Sequence, residues 1–149
     1  MVFDNLNDFI AHDKLADAVI ISHYDLLHYD TAQVLLVKGY DVLVETPVAN
    51  SLDGLVHLKE YSLKNKDRLF MVAYNNRYSS FYTKLKEIVD DKKLGDLINI
   101  SYNVDIGYQN FVHNYVRGNW RITSDTATIM LTNSCQDIDM MINLSKGKC

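Results

Sequence analysis

Apolar runs and segments of helical period alternate over the first half of the chain. The apolar runs are Asp17–Ser22, Asp41–Glu45 and Arg68–Ala73. Their continuous, β-branched character is typical of parallel strands that are buried on both faces of a sheet. Strand, helix, strand, helix, strand predicts a right-handed βαβαβ layer, which is half of a doubly wound α/β fold.

Two helices are expected between these strands. The first runs from about His28 to Lys38 and ends at Gly39, because glycine adopts a left-handed C-cap at low cost. The second follows Ser51, whose hydroxyl is suited to capping a helix N-terminus, and carries Leu52, Leu55, Val56 and Leu58 at helical spacing.

The second half of the chain changes period twice. A third helix is predicted from about Tyr78 to Asp91, and strict alternation from Ile98 to Ile106 then predicts a half-buried strand of an antiparallel or mixed sheet. A polar aromatic loop is expected over Gly107–Arg121, and a final helix from about Asp125 to Leu144. We place the boundary between two lobes near Asn76.

The final helix is expected to have two distinct faces. Its apolar stripe is suited to covering the alternating strand, and a polar stripe lies about a quarter turn away. The apolar stripe consists of Leu131, Cys135, Ile138 and Ile142, and the polar stripe of Thr132, Gln136, Asp139 and Asn143. The polar stripe either faces a cleft or is an ordinary solvated helix face.

Composition narrows the function classes. The chain is 48% hydrophobic and 23% charged with a net charge of -4, and its scattered Lys and Arg residues form no basic stripe for nucleic acid. No apolar run approaches a bilayer span, and the start has no signal-peptide pattern, so we predict a cytoplasmic protein without membrane contact. Cys135 and Cys149 form no C-x-x-C motif and are expected to be reduced thiols.

Polar segments follow each predicted strand. Ligands of open α/β sheets bind outside the carboxyl ends of the strands, where Ser22–His28, Glu45–Pro47 and Tyr74–Arg77 would lie along one edge. Pro47 restricts Thr46 to an extended backbone that could aim a side chain across the crevice, although Pro47 could equally just end a strand. The spacing of His23, Asp25 and His28 does not suit a metal, and no metal site is predicted.

Several motifs carry a resemblance to a known family. They resemble the Gfo/Idh/MocA family, which includes glucose-fructose oxidoreductase and inositol dehydrogenase. The motifs are Asp17–His28, Gly39–Pro47, Asn76–Ser79, Leu94–Gly95, Tyr115–Arg121 and Ser134–Asp139. The resemblance implies an N-terminal Rossmann domain that binds NAD or NADP, and a C-terminal α/β domain with an open sheet. It also implies oxidation or reduction of a sugar, a polyol or a related carbonyl.

The resemblance assigns expected roles to residues of both lobes. Residues 1–76 would be a partial nucleotide-binding lobe, and residues 77–149 a partial substrate and dimerisation lobe. The expected cofactor-binding residues are Ser22, His23, His28, Glu45, Pro47 and Asn75. The residues expected to contact a sugar-like substrate are Tyr108, Trp120, Arg121 and Asp139.

The chain departs from the family at the catalytic positions. Thr46 stands where the family has a lysine, Gln136 where it has a histidine, and Thr132 where it often has an aspartate. Neither a hydroxyl nor an amide exchanges a proton readily near neutral pH. No two glycines have a G-x-G spacing, so the phosphate-binding turn of the family is not found.

These departures lead to several hypotheses. The first is an oxidoreductase-family chain, truncated at both ends, with impaired catalysis and doubtful cofactor binding. The alternatives are a non-catalytic binding or assembly module on the same scaffold and a gene remnant. The unpaired alternating strand further predicts a homodimer, since a second copy could complete its sheet.

Overall fold

The computed structural model describes residues 1–122 and 126–147. It divides into two compact units, Met1–Ala73 and Tyr74–Cys149. The division falls close to the boundary expected near Asn76. Each unit is described below on its own.

A parallel sheet forms the centre of the first unit. Its strands are β1 (Ala18–Ile21), β2 (Asp41–Val44) and β3 (Phe70–Val72), in the order β1-β2-β3. The register places Ile21 opposite Val44, and Val44 opposite Val72. This arrangement confirms the α/β class and the parallel layer expected from the sequence.

The first unit also contains three helices, α1 (Leu6–Ala11), α2 (His28–Val37) and α3 (Leu52–Lys64). Both crossover helices have the predicted ends: Gly39 follows α2 with a φ of +88°, and the Ser51 hydroxyl accepts a hydrogen bond from Gly54 N–H at the start of α3. Helix α1 was not predicted. Its signal is Asn5, whose side chain caps the helix by accepting from Asp8 N–H.

The sheet of the first unit is covered more heavily on one face than on the other. Buried residues of α2 and α3 join one core with alternate strand residues, because successive crossovers of one hand between neighbouring strands place both helices on the same side. On the other face Ile20 is 68% exposed and Met71 is 37% exposed. The expectation of burial on both faces is therefore wrong for these strands. The core comprises Ile21, Ala32, Leu35, Leu36, Tyr40, Val42, Val44, Val48 and Leu58.

Helices dominate the described part of the second unit. They are α4 (Ser80–Asp90), α5 (Tyr108–Phe111) and α6 (Ile129–Leu144). The loop expected over Gly107–Arg121 is instead largely helical, since α5 is followed by helical turns at Val112–Val116 and Asn119–Arg121. Helix α6 begins at Ile129 rather than near Asp125, and both Asp125 and Cys149 lie outside the described residues.

The alternating segment Ile98–Ile106 is not a strand in this structure. A β-ladder needs a neighbouring strand, and the described residues of the second unit contain none. Part of the alternation remains in the burial, because Ile100, Tyr102 and Ile106 are half-buried between exposed neighbours, whereas Ile98 is 96% exposed. The predicted strand is therefore an extended segment without a partner.

A tyrosine pair ties this extended segment to the helices. The Tyr102 hydroxyl donates to Asp137 of α6 at 3.1 Å, so its oxygen accepts from the Tyr82 hydroxyl of α4. The pKa of Tyr102 is raised, most strongly by the hydrogen bond with Tyr82 and then by burial and by Asp137. Side-chain hydrogen bonds of Tyr102 therefore hold this segment against α4 and α6, where backbone hydrogen bonds to a neighbouring strand were expected.

The buried side of α6 differs from the predicted one. Met140 and Leu144, one helical turn apart, are the buried residues of this helix. The expected apolar stripe instead lines an open groove of about 390 Å³ together with Tyr74, Thr128, Met130 and Asp139. The stripe was therefore correctly placed on one face of the helix, but its expected burial against the alternating strand is wrong.

The end of α2 gives a test of this fold. Replacing Gly39 by alanine should lower the free energy of unfolding by about 1 kcal/mol, because a Cβ disfavours the left-handed backbone. Replacing Gly39 by asparagine should cost clearly less, because asparagine tolerates this conformation. Urea unfolding measures both, and equal losses would show that backbone strain is not the cause.

Candidate functional site

The carboxyl ends of β1 and β2 are joined directly. The N–H of Glu45 donates to the carbonyl oxygen of Ile21 at 2.9 Å, which extends the parallel ladder beyond β2. Ser22 therefore begins its segment beside Glu45. Ser22 and His23 are exposed, whereas Glu45 is half-buried.

Two histidines connect the segments that leave these strands. Nδ1 of His28 lies 2.8 Å from the carbonyl oxygen of Pro47, and its Nε2 lies 2.9 Å from the carbonyl oxygen of His23. The His23 ring contacts the carbonyl oxygen of Tyr24 at 3.1 Å and the Thr31 hydroxyl at 3.0 Å. The structure thus brings together three of the predicted site residues, His23, His28 and Pro47.

Thr46 occupies the turn that follows Glu45. Its side chain is half-buried, whereas Pro47 and Val48 behind it are buried, and the Thr46–Pro47 peptide bond is cis. Thr46, the position at which the resemblance leads us to expect a lysine, therefore lies at the sheet edge. Its neutral hydroxyl supplies a hydrogen bond but no charge.

An ion pair organises the start of the second unit. Arg77 donates to Asp139 of α6 through Nε at 2.6 Å and through Nη2 at 2.5 Å. This bidentate bond raises the pKa of Arg77, against the opposing effect of burial. Asn75, two residues before Arg77, is exposed. The expected substrate residue Asp139 therefore has its carboxylate occupied by Arg77.

Tyr74 lies beside this pair, at the groove lined by the apolar stripe of α6. Burial is the main cause that raises the pKa of its phenol, and Cys135 and Asp139 raise it further. The Tyr74 phenol is therefore neutral at physiological pH, as a hydrogen-bonding group at the groove.

Thr132 belongs to a directional chain of hydrogen bonds. Its hydroxyl donates to the carbonyl oxygen of Thr128 at 3.2 Å, so the Tyr115 hydroxyl 3.1 Å away must donate to Thr132. Asn133 in turn donates to the Tyr115 oxygen at 2.7 Å. Thr132 and Asn133 therefore anchor the helical turn around Tyr115 to α6.

The remaining predicted residues of the second unit differ in exposure. Gln136 is half-buried one turn beyond Thr132 on α6, and Trp120 is half-buried in a short helical turn. Tyr108 and Arg121 are exposed. These residues lie on short helical turns instead of in the single loop that was expected.

Two kinds of site are not found in the part of the chain that the structure describes. No three His, Cys, Asp or Glu side chains come close enough together there to hold a metal ion. Over the same residues, no helix has the length and apolar character needed to cross a bilayer. Cys135 is a thiol, half-buried on α6.

The first unit matches a known family. The Gfo/Idh/MocA model, described as an oxidoreductase family with an NAD-binding Rossmann fold, matches residues 1–74. Curated inositol dehydrogenases match in addition over longer stretches of the chain. This chain belongs to the Gfo/Idh/MocA family.

Relatives and solved structures of the family extend the comparison. The inositol 2-dehydrogenase of Gluconacetobacter diazotrophicus is 26% identical over 98 residues, covering 66% of this chain and 29% of that protein. The enzyme of the same name from Salmonella typhimurium is 24% identical over 139 residues, covering 85% and 41%. The chain thus spans less than half the length of these relatives.

A solved structure of similar fold was obtained with ligands. The scyllo-inositol dehydrogenase from Lactobacillus casei with bound cofactor NAD(H) and scyllo-inositol matches with a TM-score of 0.77 and 20% identity, covering 97% of this chain and 41% of that chain. The myo-inositol 2-dehydrogenase from Lactobacillus plantarum matches with a TM-score of 0.79 and 18% identity, covering the same shares. At these identities the likeness shows the fold alone.

The glycines of the first unit do not fit the diphosphate of a dinucleotide. A Rossmann diphosphate site needs glycines in the turn between a strand and the following helix. Gly39 instead ends α2, and Gly54 lies inside α3, where its Cα faces Tyr29 and Ala49 closely. The segments that follow β1 and β2 therefore supply no diphosphate cradle.

Sequence reasoning missed two of the pairings that define the second unit. Tyr115 was noticed as part of an aromatic segment and of the motif Tyr115–Arg121, and Asn133 was not considered. Arg77 belongs to the motif Asn76–Ser79 and to the polar segment Tyr74–Arg77. Its partner could not be read from the sequence, since 62 residues separate Arg77 from Asp139.

The Arg77–Asp139 pair can be tested by a double-mutant cycle. Arg77→Gln and Asp139→Asn should show a coupling of about 1 kcal/mol in urea unfolding, a value already reduced for the 41% exposure of the Arg77 side chain. Arg77→Lys should restore less than half of it, because lysine cannot form the bidentate bond. The exposed pair Lys84 and Glu87 is the control and should show no measurable coupling. Additive effects at Arg77 and Asp139 would contradict the assignment.

Proposed function

We propose that this chain is a catalytically impaired member of the family of NAD(P)-dependent dehydrogenases that act on sugars, polyols or related carbonyls. The proposal is carried by the residues at the positions that the family resemblance marks as catalytic. Thr46 and Gln136 stand there where a lysine and a histidine are expected to transfer protons, and the Thr132 hydroxyl is committed to Tyr115 and Thr128. Positioned proton transfer contributes roughly 100- to 10,000-fold to a rate, so its loss leaves little turnover.

A cyclic polyol is the substrate class that the comparisons favour. The relatives reported above are inositol dehydrogenases, and one of similar fold was solved with scyllo-inositol and NAD(H). In the second unit, neutral side chains such as Gln136 and Trp120 suit hydrogen bonding and packing against a polyol ring. We assign the protein to the cytoplasm, where a thiol such as Cys135 stays reduced.

A binding or assembly module is the second candidate function. It is favoured by the absence of a diphosphate cradle among the glycines of the described residues, together with the closed hydrogen-bond chain at Thr132. Such a module would hold a sugar-like ligand or a partner without turning over a cofactor. Ligand binding in the absence of any dinucleotide separates this candidate from an impaired enzyme, which needs both.

We expect no measurable hydride transfer by this chain. Absorbance of reduced nicotinamide, followed with NAD or NADP and a panel of inositols and sugars, measures it, with a full-length inositol 2-dehydrogenase as the positive control. Calorimetry should show dinucleotide binding weaker than about millimolar, because the cradle is missing. Substrate-dependent turnover by the purified chain would overturn the proposal.

The double variant Thr46→Lys with Gln136→His refines this prediction. It should also remain inactive, because proton-transferring groups act only on reactants that are held in position. If the two substitutions alone restore turnover, the missing diphosphate cradle is unimportant and the chain binds its cofactor by other residues.

We also propose that the chain forms a two-fold homodimer through the extended segment Ile98–Ile106. Ile98 is almost fully exposed, and a groove of about 650 Å³ beside it is lined by Ile100, Met141 and Leu144. Identical segments can pair antiparallel about a two-fold axis, which would satisfy their open backbone groups and cover these side chains.

Light scattering at micromolar concentration tests the dimer. The wild-type chain should have twice the monomer mass, and Ile100→Asp should shift it to the monomer by placing a charge in the contact. The matched control Asn99→Asp adds the same charge to the exposed side of the segment and should leave the dimer intact. A monomeric wild-type protein would show that no second copy binds here.

A further inference from the structure

His28 is a buried side chain between the two segments that leave β1 and β2. It is 2% exposed, and it joins the start of α2 to the turn at Pro47, 19 residues away in sequence. Both ring nitrogens face backbone carbonyl oxygens. A side chain in this position is poorly placed to contact a ligand, but it can determine where the surrounding backbone lies.

We propose that His28 is the positioning residue of the Thr46–Pro47 turn. Its Nδ1–H donates to the carbonyl oxygen of Pro47 and fixes the backbone that presents Thr46 at the sheet edge. The inference rests on the proposed function only in treating Thr46 as a position of the site. It replaces the expected cofactor contact of His28 with an indirect role.

The bond to Pro47 is the more consequential of the two contacts. A neutral imidazole donates through one nitrogen only, so the tautomer decides which carbonyl oxygen is bonded. The segment around His23 is also held by Leu27 N–H bonding to Tyr24 and by His23 itself bonding to Thr31. The Pro47 carbonyl lies in a buried turn, where an unpaired acceptor is costly, and His28 supplies its donor.

Two substitutions separate the contacts of the ring. In His28→Asn the amide nitrogen replaces Nδ1 and can keep the bond to Pro47. In His28→Gln the amide nitrogen replaces Nε2 and can keep only the bond to His23. Both variants remove the aromatic ring from the same buried space, so a role limited to packing would affect the site equally in the two proteins.

The carbonyl ¹³C resonance of Pro47 and a reporter thiol measure the effect on the turn. For the reporter, Thr46→Cys is introduced with Cys135→Ser and Cys149→Ser, and its alkylation by iodoacetamide is timed. The rate in the reporter protein that retains His28 and the rate after His28→Asn should agree within about twofold. After His28→Gln the rate should rise about tenfold, the factor expected for loss of about 1.4 kcal/mol of hydrogen bonding. The Pro47 resonance should move in the Gln variant only.

Imidazole ¹⁵N shifts of the wild-type protein provide a test that needs no variant. They should show a hydrogen on Nδ1 of His28. A ring that carries its hydrogen on Nε2 alone, or equal changes of alkylation rate in the Asn and Gln variants at equal stability, would overturn the proposal. The ¹⁵N measurement decides the matter even where a variant fails to fold.

The dinucleotide arm distinguishes this inference from the proposed function. Saturation-transfer NMR with millimolar NADH can detect weak binding, and the measurement is made on the wild-type chain and on both variants. Absence of signal from the wild-type protein favours the binding or assembly module over the impaired enzyme, while the Pro47 resonance and the alkylation rates of the reporter thiol still decide the role of His28. Where NADH does bind, the Gln variant should lose signal and the Asn variant should retain it.

Discussion

Parallel pairing of β1 with β2 is the constraint on which the first unit depends. It places Ile21 beside Val44, and the bond from Glu45 N–H to Ile21 carries the ladder one step further. Segments that are far apart in sequence therefore leave the sheet side by side. Only then can a single imidazole, His28, reach both. The side-chain contacts at this sheet edge therefore depend on the backbone pairing of the strands.

Local patterns predicted the elements whose signals lie within them. Residue type and period were sufficient for the three strands, and for α2 and α3 with their caps at Gly39 and Ser51. The failures concern features that depend on partners elsewhere in the chain. The alternation of Ile98–Ile106 indicates one apolar face but not whether a neighbouring strand exists, and continuous apolar strands do not show that one sheet face is left open.

The residues of the candidate site also divide into those that local motifs mark and those that depend on distant partners. Motifs alone located Thr46, Thr132 and Gln136, because each falls at a fixed spacing within a recognisable segment. The pairing of Arg77 with Asp139 and the chain from Asn133 through Tyr115 could not be predicted, since each depends on how distant helical segments pack. The sequence therefore marked candidate positions, but not the side chains with which they and their neighbours pair.

Thr132 and Asp139 of α6 each have a partner within the second unit. A carboxylate at position 132 would be costly to bury without a partner, whereas the threonine there closes a neutral hydrogen-bond chain at little cost. The Asp139 carboxylate is paired with the Arg77 guanidinium on this face of the helix. Each of these two side chains therefore has its partner within the second unit. Neither contact involves a cofactor or a substrate, so both can hold α6 to its neighbours whether or not the chain turns over a substrate.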